Sequence, residues 1–367
     1  MSSMPRSQIR VLDLFAGAGG LSAGLHQGSD RFSSVQAVEW EPAAAAAFQA
    51  TFPETEVYAG DIKAWLDEAQ VPAVDVIIGG PPCQGFSTLN RNYEEDSRNE
   101  LWREYARTIV RAQPSYFVVE NVAAFAKSPQ YLDFKAATQL GGQLEDYDFE
   151  FQVLNAADYG AAQARKRTVI IGHHRTLDFP GWPPPTHSAK SENLPRHRTV
   201  ADVLAGVPYV PDMDGEFDRW STTFGNKEFA GSFAPRQLHW SRKYTQLSKD
   251  RFAHIPEGGS RFDLPEALLA NCWKNHRSGS GDVMGRLHWN RPSVTIRTEF
   301  FKPEKGRYLH PDPEVHRAIT HYEAARIQGF SDAHRFVGSR TAIAKQIGNA
   351  VPIPLGAAIG RQLATVL

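Results

Sequence analysis

The sequence predicts an α/β fold: a doubly wound, mostly parallel sheet with helices on both faces, followed by a smaller, less regular unit. Two patterns lead to the sheet. The apolar run Arg10-Val-Leu-Asp-Leu-Phe15 breaks into the turn Ala16-Gly-Ala-Gly-Gly20 and then into Leu21-Ser-Ala-Gly-Leu25, in the order strand, turn, helix. Short β-branched runs then recur at Val35-Gln-Ala-Val38, Val74-Asp-Val-Ile-Ile78 and Tyr116-Phe-Val-Val119, with helix-forming stretches between them, as repeated βαβ units require. A third observation marks where the sheet ends. At Pro180-Gly-Trp-Pro-Pro-Pro185 the composition changes to that of a linker, and residues from about 190 to 315 are polar, weakly periodic and rich in Arg, Trp, Phe and Gly.

Composition narrows the function classes. A chain of 367 residues, 41% hydrophobic and 22% charged, has room for one large or two ordinary domains. No apolar run reaches the length of a membrane span and residues 1–10 lack a signal-peptide core, so a cytoplasmic protein is expected. The two cysteines, Cys83 and Cys272, do not make a disulfide framework, and without paired His spacing no metal site is expected. The net charge of -1 is unevenly spread: residues 231–310 hold 14 Lys+Arg against 7 Asp+Glu, the remainder 26 against 34. A basic stretch on an acidic chain is a footprint for phosphate, and equally a solvated basic face.

In chain order, the first strand delivers the glycine turn to a helix start, where a ligand can approach backbone N-H groups. The second ends in Glu39-Trp40. An acid about 20 residues beyond a glycine turn is placed to accept from ribose hydroxyls, and Trp40 either stacks on a purine or packs in the core. Pro42 and the alanines from 43 to 47 give a strong helix. After a short strand at Val57-Tyr58, Asp61 could meet an adenine amino group while Ile62 packs on the ring.

The strand at residues 74–78 opens into Gly79-Gly-Pro-Pro-Cys-Gln-Gly-Phe-Ser87. Two prolines fix successive φ angles and the flanking glycines leave bends free, so Cys83 is held beside a loop at the ligand-binding edge of the sheet. A free thiol, with a pKa of about 8.5, needs a cation nearby to attack as thiolate near neutral pH. Residues 88–99 are polar and turn-rich and read as a lid, after which Asp96 or Ser97 caps a helix running to about Ala112. Tyr116-Phe-Val-Val119 delivers Glu120-Asn121-Val122 to the same edge. A hairpin follows, with strands around residues 149–154 and 168–171, and between them lies Gln163-Ala-Arg-Lys-Arg167. Thr320 caps a short helix that stops at Gly329, and residues 355–366 form a final helix.

Taken together, Gly-Pro-Pro-Cys-Gln-Gly-Phe-Ser, Glu-Asn-Val, Gln-x-Arg-x-Arg and the glycine turn resemble, in family order, the DNA cytosine-C5 methyltransferases of bacterial restriction-modification type. The resemblance runs from Asp13 to Gly360, with no match between about 190 and 280. It implies a Rossmann-like S-adenosylmethionine-dependent methyltransferase domain whose mixed sheet has one antiparallel strand, plus a target-recognition domain. The boundaries it implies are 1–185 with 341–367 for a discontinuous catalytic domain, and 186–340 for the DNA-reading domain. It makes Cys83 the nucleophile at C6 of a flipped cytosine and Glu120 the partner of the base at N3, and it brings Arg165 and Arg167 to the thiol and the base. Phe15, Gly17, Gly19, Gly20, Glu39, Trp40, Asp61, Ile62, Pro82 and Asn349 fall on cofactor positions. Gln84, Ser87, Arg286, His288, Arg291 and Arg297 are the expected DNA contacts, with Trp289 beside them; Arg serves phosphates and bases alike.

The partners implied are double-stranded DNA and a cognate restriction endonuclease encoded nearby, for a monomeric, nucleoid-associated protein of prokaryotic type. A tRNA cytosine-5 methyltransferase of the same fold would share these motifs. A catalytically silent DNA-binding relative has no need of Cys83, Glu120 and both arginines, and a nicotinamide oxidoreductase leaves the Pro-Pro-Cys-Gln loop unexplained.

Overall fold

A computed structural model describes residues 8–82, 101–211, 221–274 and 281–367. The chain forms two compact units, the first comprising Met1–Tyr159, Lys166–Pro185 and Val351–Leu367, the second Gly160–Arg165 and Thr186–Ala350. None of the described helices is long and apolar enough to cross a membrane.

The first unit is built on seven strands: β1 (Ile9–Leu14), β2 (Phe32–Glu39), β3 (Glu56–Ala59), β4 (Val76–Gly79), β5 (Tyr116–Val122), β6 (Tyr147–Asn155) and β7 (Lys166–His174). Their order across the sheet is β3-β2-β1-β4-β5-β7-β6. The pairs from β3 to β5 are parallel, and β7 alone is reversed, antiparallel to both β5 and β6. This is the mixed sheet expected from the sequence. The central strands β1, β4 and β5 are almost wholly buried, which is why they read as continuous apolar runs rather than alternating ones.

Helices α1 (Gly20–Gly28), α2 (Pro42–Thr51), α3 (Ile62–Glu68), α4 (Leu101–Ala112) and α5 (Pro129–Ala137) accompany the sheet. α4 turns Trp102, Tyr105, Ala106 and Ile109 into a core shared with Phe117 and Phe134. Each such large apolar side chain contributes roughly 1.5–3 kcal/mol. The Tyr105 hydroxyl donates to the Val118 carbonyl at 2.8 Å, tying α4 to β5. The expected cap of α4 at Asp96 or Ser97 lies outside the described residues. The C-terminal helix, Ile353–Leu363, packs against α1 with backbones nearly touching: a Cβ on Gly24 would stand 2.6 Å from Gly356 Cα. Only glycine permits that approach.

The second unit has little regular structure, as its weak periodicity predicts. It contains α6 (Val200–Leu204), α7 (Gln246–Ala253), α8 (Asn271–Lys274), α9 (His321–Gln328) and α10 (Arg340–Asn349), with two-stranded ribbons of two or three residues per strand. α9 begins and ends where the sequence places it. Thr320 and Glu323 form a capping box, and Gly329 closes the helix with φ of 89°. Arg317 grips Glu323 through two bonds of 2.8 Å.

Arg286 corrects one sequence expectation. Instead of facing DNA, it is wholly buried, and its guanidinium donates to the carbonyls of Phe252, Ile255, His310, Asp312 and Val315 at 2.6–3.2 Å. Burial pushes its pKa down to about 10, so it stays charged at neutral pH. Five carbonyls converging on one fork fasten the segment around residues 252–255 to that around residues 310–315. Arg286→Ala is expected to lower stability by about 3 kcal/mol or more, because buried acceptors lose a charged donor together. Urea unfolding checks this; a loss below about 1 kcal/mol would contradict the role.

Candidate active site

In an open α/β sheet, ligands bind beyond the carboxyl ends of the parallel strands. In the first unit that edge carries Phe15 after β1, Glu39 and Trp40 at the end of β2, Gly80–Pro82 after β4, and Glu120 and Asn121 in β5. β7 runs the other way, so its start reaches the same edge, with Arg167 opposite Val122 in register.

The glycine turn is held as a unit. Ala16 N donates to Val38 O, Gly19 N to Ala16 O, and Gly17 N to Glu39 Oε2 at 2.8 Å. The other Glu39 oxygen accepts Glu41 N at 2.7 Å. Burial raises the Glu39 pKa, and these backbone donors pull the other way. Each oxygen keeps a second lone pair for a hydroxyl donor. Phe15 stands at φ of 55°, a strained setting for a bulky residue that costs about 1–3 kcal/mol. Gly19 is the N-cap of α1, no side chain caps that helix, and the next residue is Gly20. Trp40 is 68% exposed, so of its two expected fates the core is excluded.

Asp61 N-caps α3, its Oδ1 accepting Lys63 N at 2.7 Å. Ile62 lies in the core with Trp65 and Leu66. Acid, exposed indole and unclaimed helix-start amides fit a nucleoside carrying an amino-acid tail. Among the described residues no group of three or more metal-ligating side chains occurs.

Gly79 ends β4 where a Cβ would lie 2.3 Å from Leu14 O, so only glycine lets β4 run so close to β1. Pro81 and Pro82 follow, and Asn121 Nδ2 donates to Pro81 O at 3.1 Å. Sequence reasoning quoted Asn121 without giving it this work, since the contact spans 40 residues. Cys83, Gln84 and Ser87, like the lid at residues 88–99, lie outside the described residues. Glu120 is 8% exposed, and Arg167 Nε stands 2.9 Å from its Oε1. The two charges pair, yet the approach is too oblique for a hydrogen bond, so Oε1 is a buried acceptor still lacking a donor among the described residues.

The second unit holds the rest. Arg165 and Arg167, expected to act together, are differently engaged: Arg165 donates within its own unit to Ile296 O, Gly348 O and Asn349 O at 2.9–3.4 Å. Gln163 beside it bonds Gln328 and Ile296 N, both at 2.7 Å. Asn349 is exposed at the end of α10. Arg291 and Arg297 are also exposed, with Arg297 Nε donating to the Tyr308 hydroxyl at 3.0 Å. His288 and Trp289 are half-buried, and burial lowers the His288 pKa, helped by Arg291 and Arg307.

Residues 9–365 match the family of C-5 cytosine-specific DNA methylases. The chain is 32% identical over 363 residues to the Type II methyltransferase M1.HphI of Haemophilus parahaemolyticus, spanning 96% of this chain and 85% of that one. It is 34% identical over 386 residues to the Type II methyltransferase M.XorII of Xanthomonas oryzae pv. oryzae, spanning 97% and 84%. Among solved structures, a prophage-encoded E. coli protein described as a DNA modification methyltransferase matches with a TM-score of 0.68 at 25% identity, over 98% of this chain and 99% of that one. The Entamoeba histolytica methyltransferase EhMeth shares the fold, with a TM-score of 0.58 at 14% identity over 98% and 99%.

Proposed function

Since the chain belongs to the C-5 cytosine-specific DNA methylase family, whose members use S-adenosylmethionine, we propose that it methylates C5 of one cytosine within a specific double-stranded DNA sequence. The observation that carries this reading is the buried Glu120 carboxyl group, paired with Arg167, on the strand next to Gly79 and Pro81. A cytosine inside a duplex cannot reach such a carboxyl group, so the base must leave the stack, at a cost of a few kcal/mol.

Cytosine C5 is a weak nucleophile on its own. Cys83, directly after Pro82, is the group that attacks C6. The protonated Glu120 carboxyl group donates to N3 and draws electrons from the ring, and the Cys83-C6 bond leaves electron density at C5. Bound S-adenosylmethionine supplies the methyl group to that carbon. Loss of the C5 proton then expels Cys83 and restores the aromatic ring. Phe15, Gly17, Gly19, Gly20, Glu39, Trp40, Asp61, Ile62 and Pro82 hold the donor in the first unit. Arg165 acts by fixing the backbone at Ile296, Gly348 and Asn349.

The second unit reads the target through His288, Arg291 and Arg297, and Gln84 and Ser87 beside Cys83 are further contacts. The Type II names of the bacterial relatives point to a companion endonuclease with the same recognition sequence, as a genetic partner rather than a bound one.

Sequencing of 5-methylcytosine in DNA from cells expressing the protein tests the reading and reports the target. The expected result is modification confined to one short sequence. No modified DNA, or transfer to RNA in preference to duplex DNA with purified protein, would overturn it. A duplex carrying 5-fluorocytosine at the target should become covalently trapped when the donor is present, because the C5 proton that must leave is replaced by fluorine.

A further inference from the structure

Strand β6 closes the seven-stranded sheet on one side, and among the described residues no strand pairs with its outer edge. The ladder shows which of its backbone groups face outward. Arg175 N donates to Asp146 O, so the even-numbered residues of β6 are the hydrogen-bonded partners of β7. The N-H and C=O groups of Phe149, Phe151 and Val153 therefore point away from the sheet. Phe149 N donates to Asp148 Oδ1 at 2.8 Å, whereas Phe151 and Val153, each 43% exposed, present their amides to solvent.

Natural sheet edges are blunted by Lys, Pro or a bulge. β6 has none of these: residues 147–155 read Tyr-Asp-Phe-Glu-Phe-Gln-Val-Leu-Asn, and all of them pair with β7 in unbroken register. Its only charges are Asp148 and Glu150. Asp148 pairs with Arg175 at 3.3 Å, and Glu150 accepts from Trp182 Nε1 at 3.3 Å. On the odd-numbered face the rings of Phe149 and Phe151 stand 6.0 and 5.0 Å from that of the buried Tyr131 on α5, so the apolar side of the edge is held from behind.

A second copy of the chain complements this edge. Antiparallel pairing about a two-fold axis through Phe151 sets Phe151 against its own counterpart, Phe149 against Val153, and Glu150 against Gln152. Apolar side chains meet on one face, and on the other a carboxylate meets an amide twice. The Phe151 and Val153 amides of both copies gain carbonyl acceptors while Asp148 keeps its bond to Phe149 N. Sliding one copy by two residues, the smallest slide that keeps the outward groups opposite one another, sets Glu150 against itself or against Leu154.

We propose that β6 is a self-association edge through which two copies of the chain join their sheets. This departs from the monomer that the resemblance implies. The paired strands run in opposite directions, so the two ligand-binding edges lie at opposite ends of the joined sheet and each copy keeps its own site. One strand pair with its flanking side chains is smaller than a standard interface, which makes the dimer a micromolar one.

Sedimentation of the full chain without DNA, from about 1 μM to about 200 μM, should show a monomer-dimer equilibrium. Gln152→Glu, at an exposed position, sets like charges opposite each other twice and should weaken dimerisation about tenfold at low salt and less at high salt. Val153→Lys should leave only monomer in this range. Both variants should keep the wild-type melting temperature and methyl transfer per chain within about twofold. Cysteines placed in a Cys272→Ser background fix the register, because residues of a hydrogen-bonded antiparallel pair have Cα atoms about 5.5 Å apart. On oxidation Phe151→Cys should form a linked dimer, whereas Val153→Cys should link to Phe149→Cys when the two are mixed but not to itself. A wild-type chain that stays monomeric at about 200 μM, or a dimer that Gln152→Glu and Val153→Lys leave unchanged, overturns the proposal. Val153→Cys linking to itself as readily as Phe151→Cys overturns the register, and with it the match of Glu150 to Gln152 on which the choice of a second copy rests.

Discussion

Cys83→Ala is expected to reduce methyl transfer by at least about 10⁴-fold while duplex affinity stays within about threefold of wild type. Without the thiolate, C5 never gains the electron density it needs, and no nearby side chain of the proposed set can replace a covalent nucleophile. Binding should survive because it draws on phosphate and base contacts elsewhere. The residues leading to Cys83 are firmly set: Gly79 is pressed against Leu14 O, and Pro81 O is held by Asn121. Steady-state transfer and a duplex-binding isotherm on the same preparation make the check. Residual transfer above about one-thousandth of wild type would falsify the nucleophile assignment.

Glu120→Gln is expected to lower kcat about 10²–10⁴-fold, again with little change in duplex binding. The amide keeps the shape of the carboxyl group but cannot pair with Arg167 or transfer a proton to N3. Arg167→Met should cost less than Glu120→Gln in transfer but more in stability, because it leaves Glu120 buried without its cation. In the double variant that stability loss should largely vanish, since neither charge remains. A Glu120→Gln enzyme within about tenfold of wild-type kcat would remove this residue from the chemistry.

Much of the first unit was legible because buried parallel strands announce themselves. The runs at Val35, Val74 and Tyr116 became β2, β4 and β5, and the residues at their ends meet at one edge. The resemblance brought Glu120 and Arg167 to one site without pairing them; their ion pair forms through the reversal of β7. What the sequence could not give were contacts that depend on distant backbone. Arg286 lies in a basic stretch, and nothing in its neighbours distinguishes an arginine that faces solvent from one that collects five carbonyls. Asn121 escaped for a similar reason, since the group it holds is 40 residues away. Ile62 and Asp61 also serve a core and a helix cap, local duties that their position in the sequence did not show.

The glycine-to-glycine contact between α1 and the C-terminal helix has a consequence for biosynthesis. The first unit brings α1 against the helix Ile353–Leu363, segments separated along the chain by the whole of the second unit. A nascent chain halted before Ile353 lacks the surface against which Gly24 and Gly28 rest, so its β1-α1 corner stays unsupported on the ribosome. Polypeptides halted before Ile353 should therefore gain no thermal protection from S-adenosylhomocysteine.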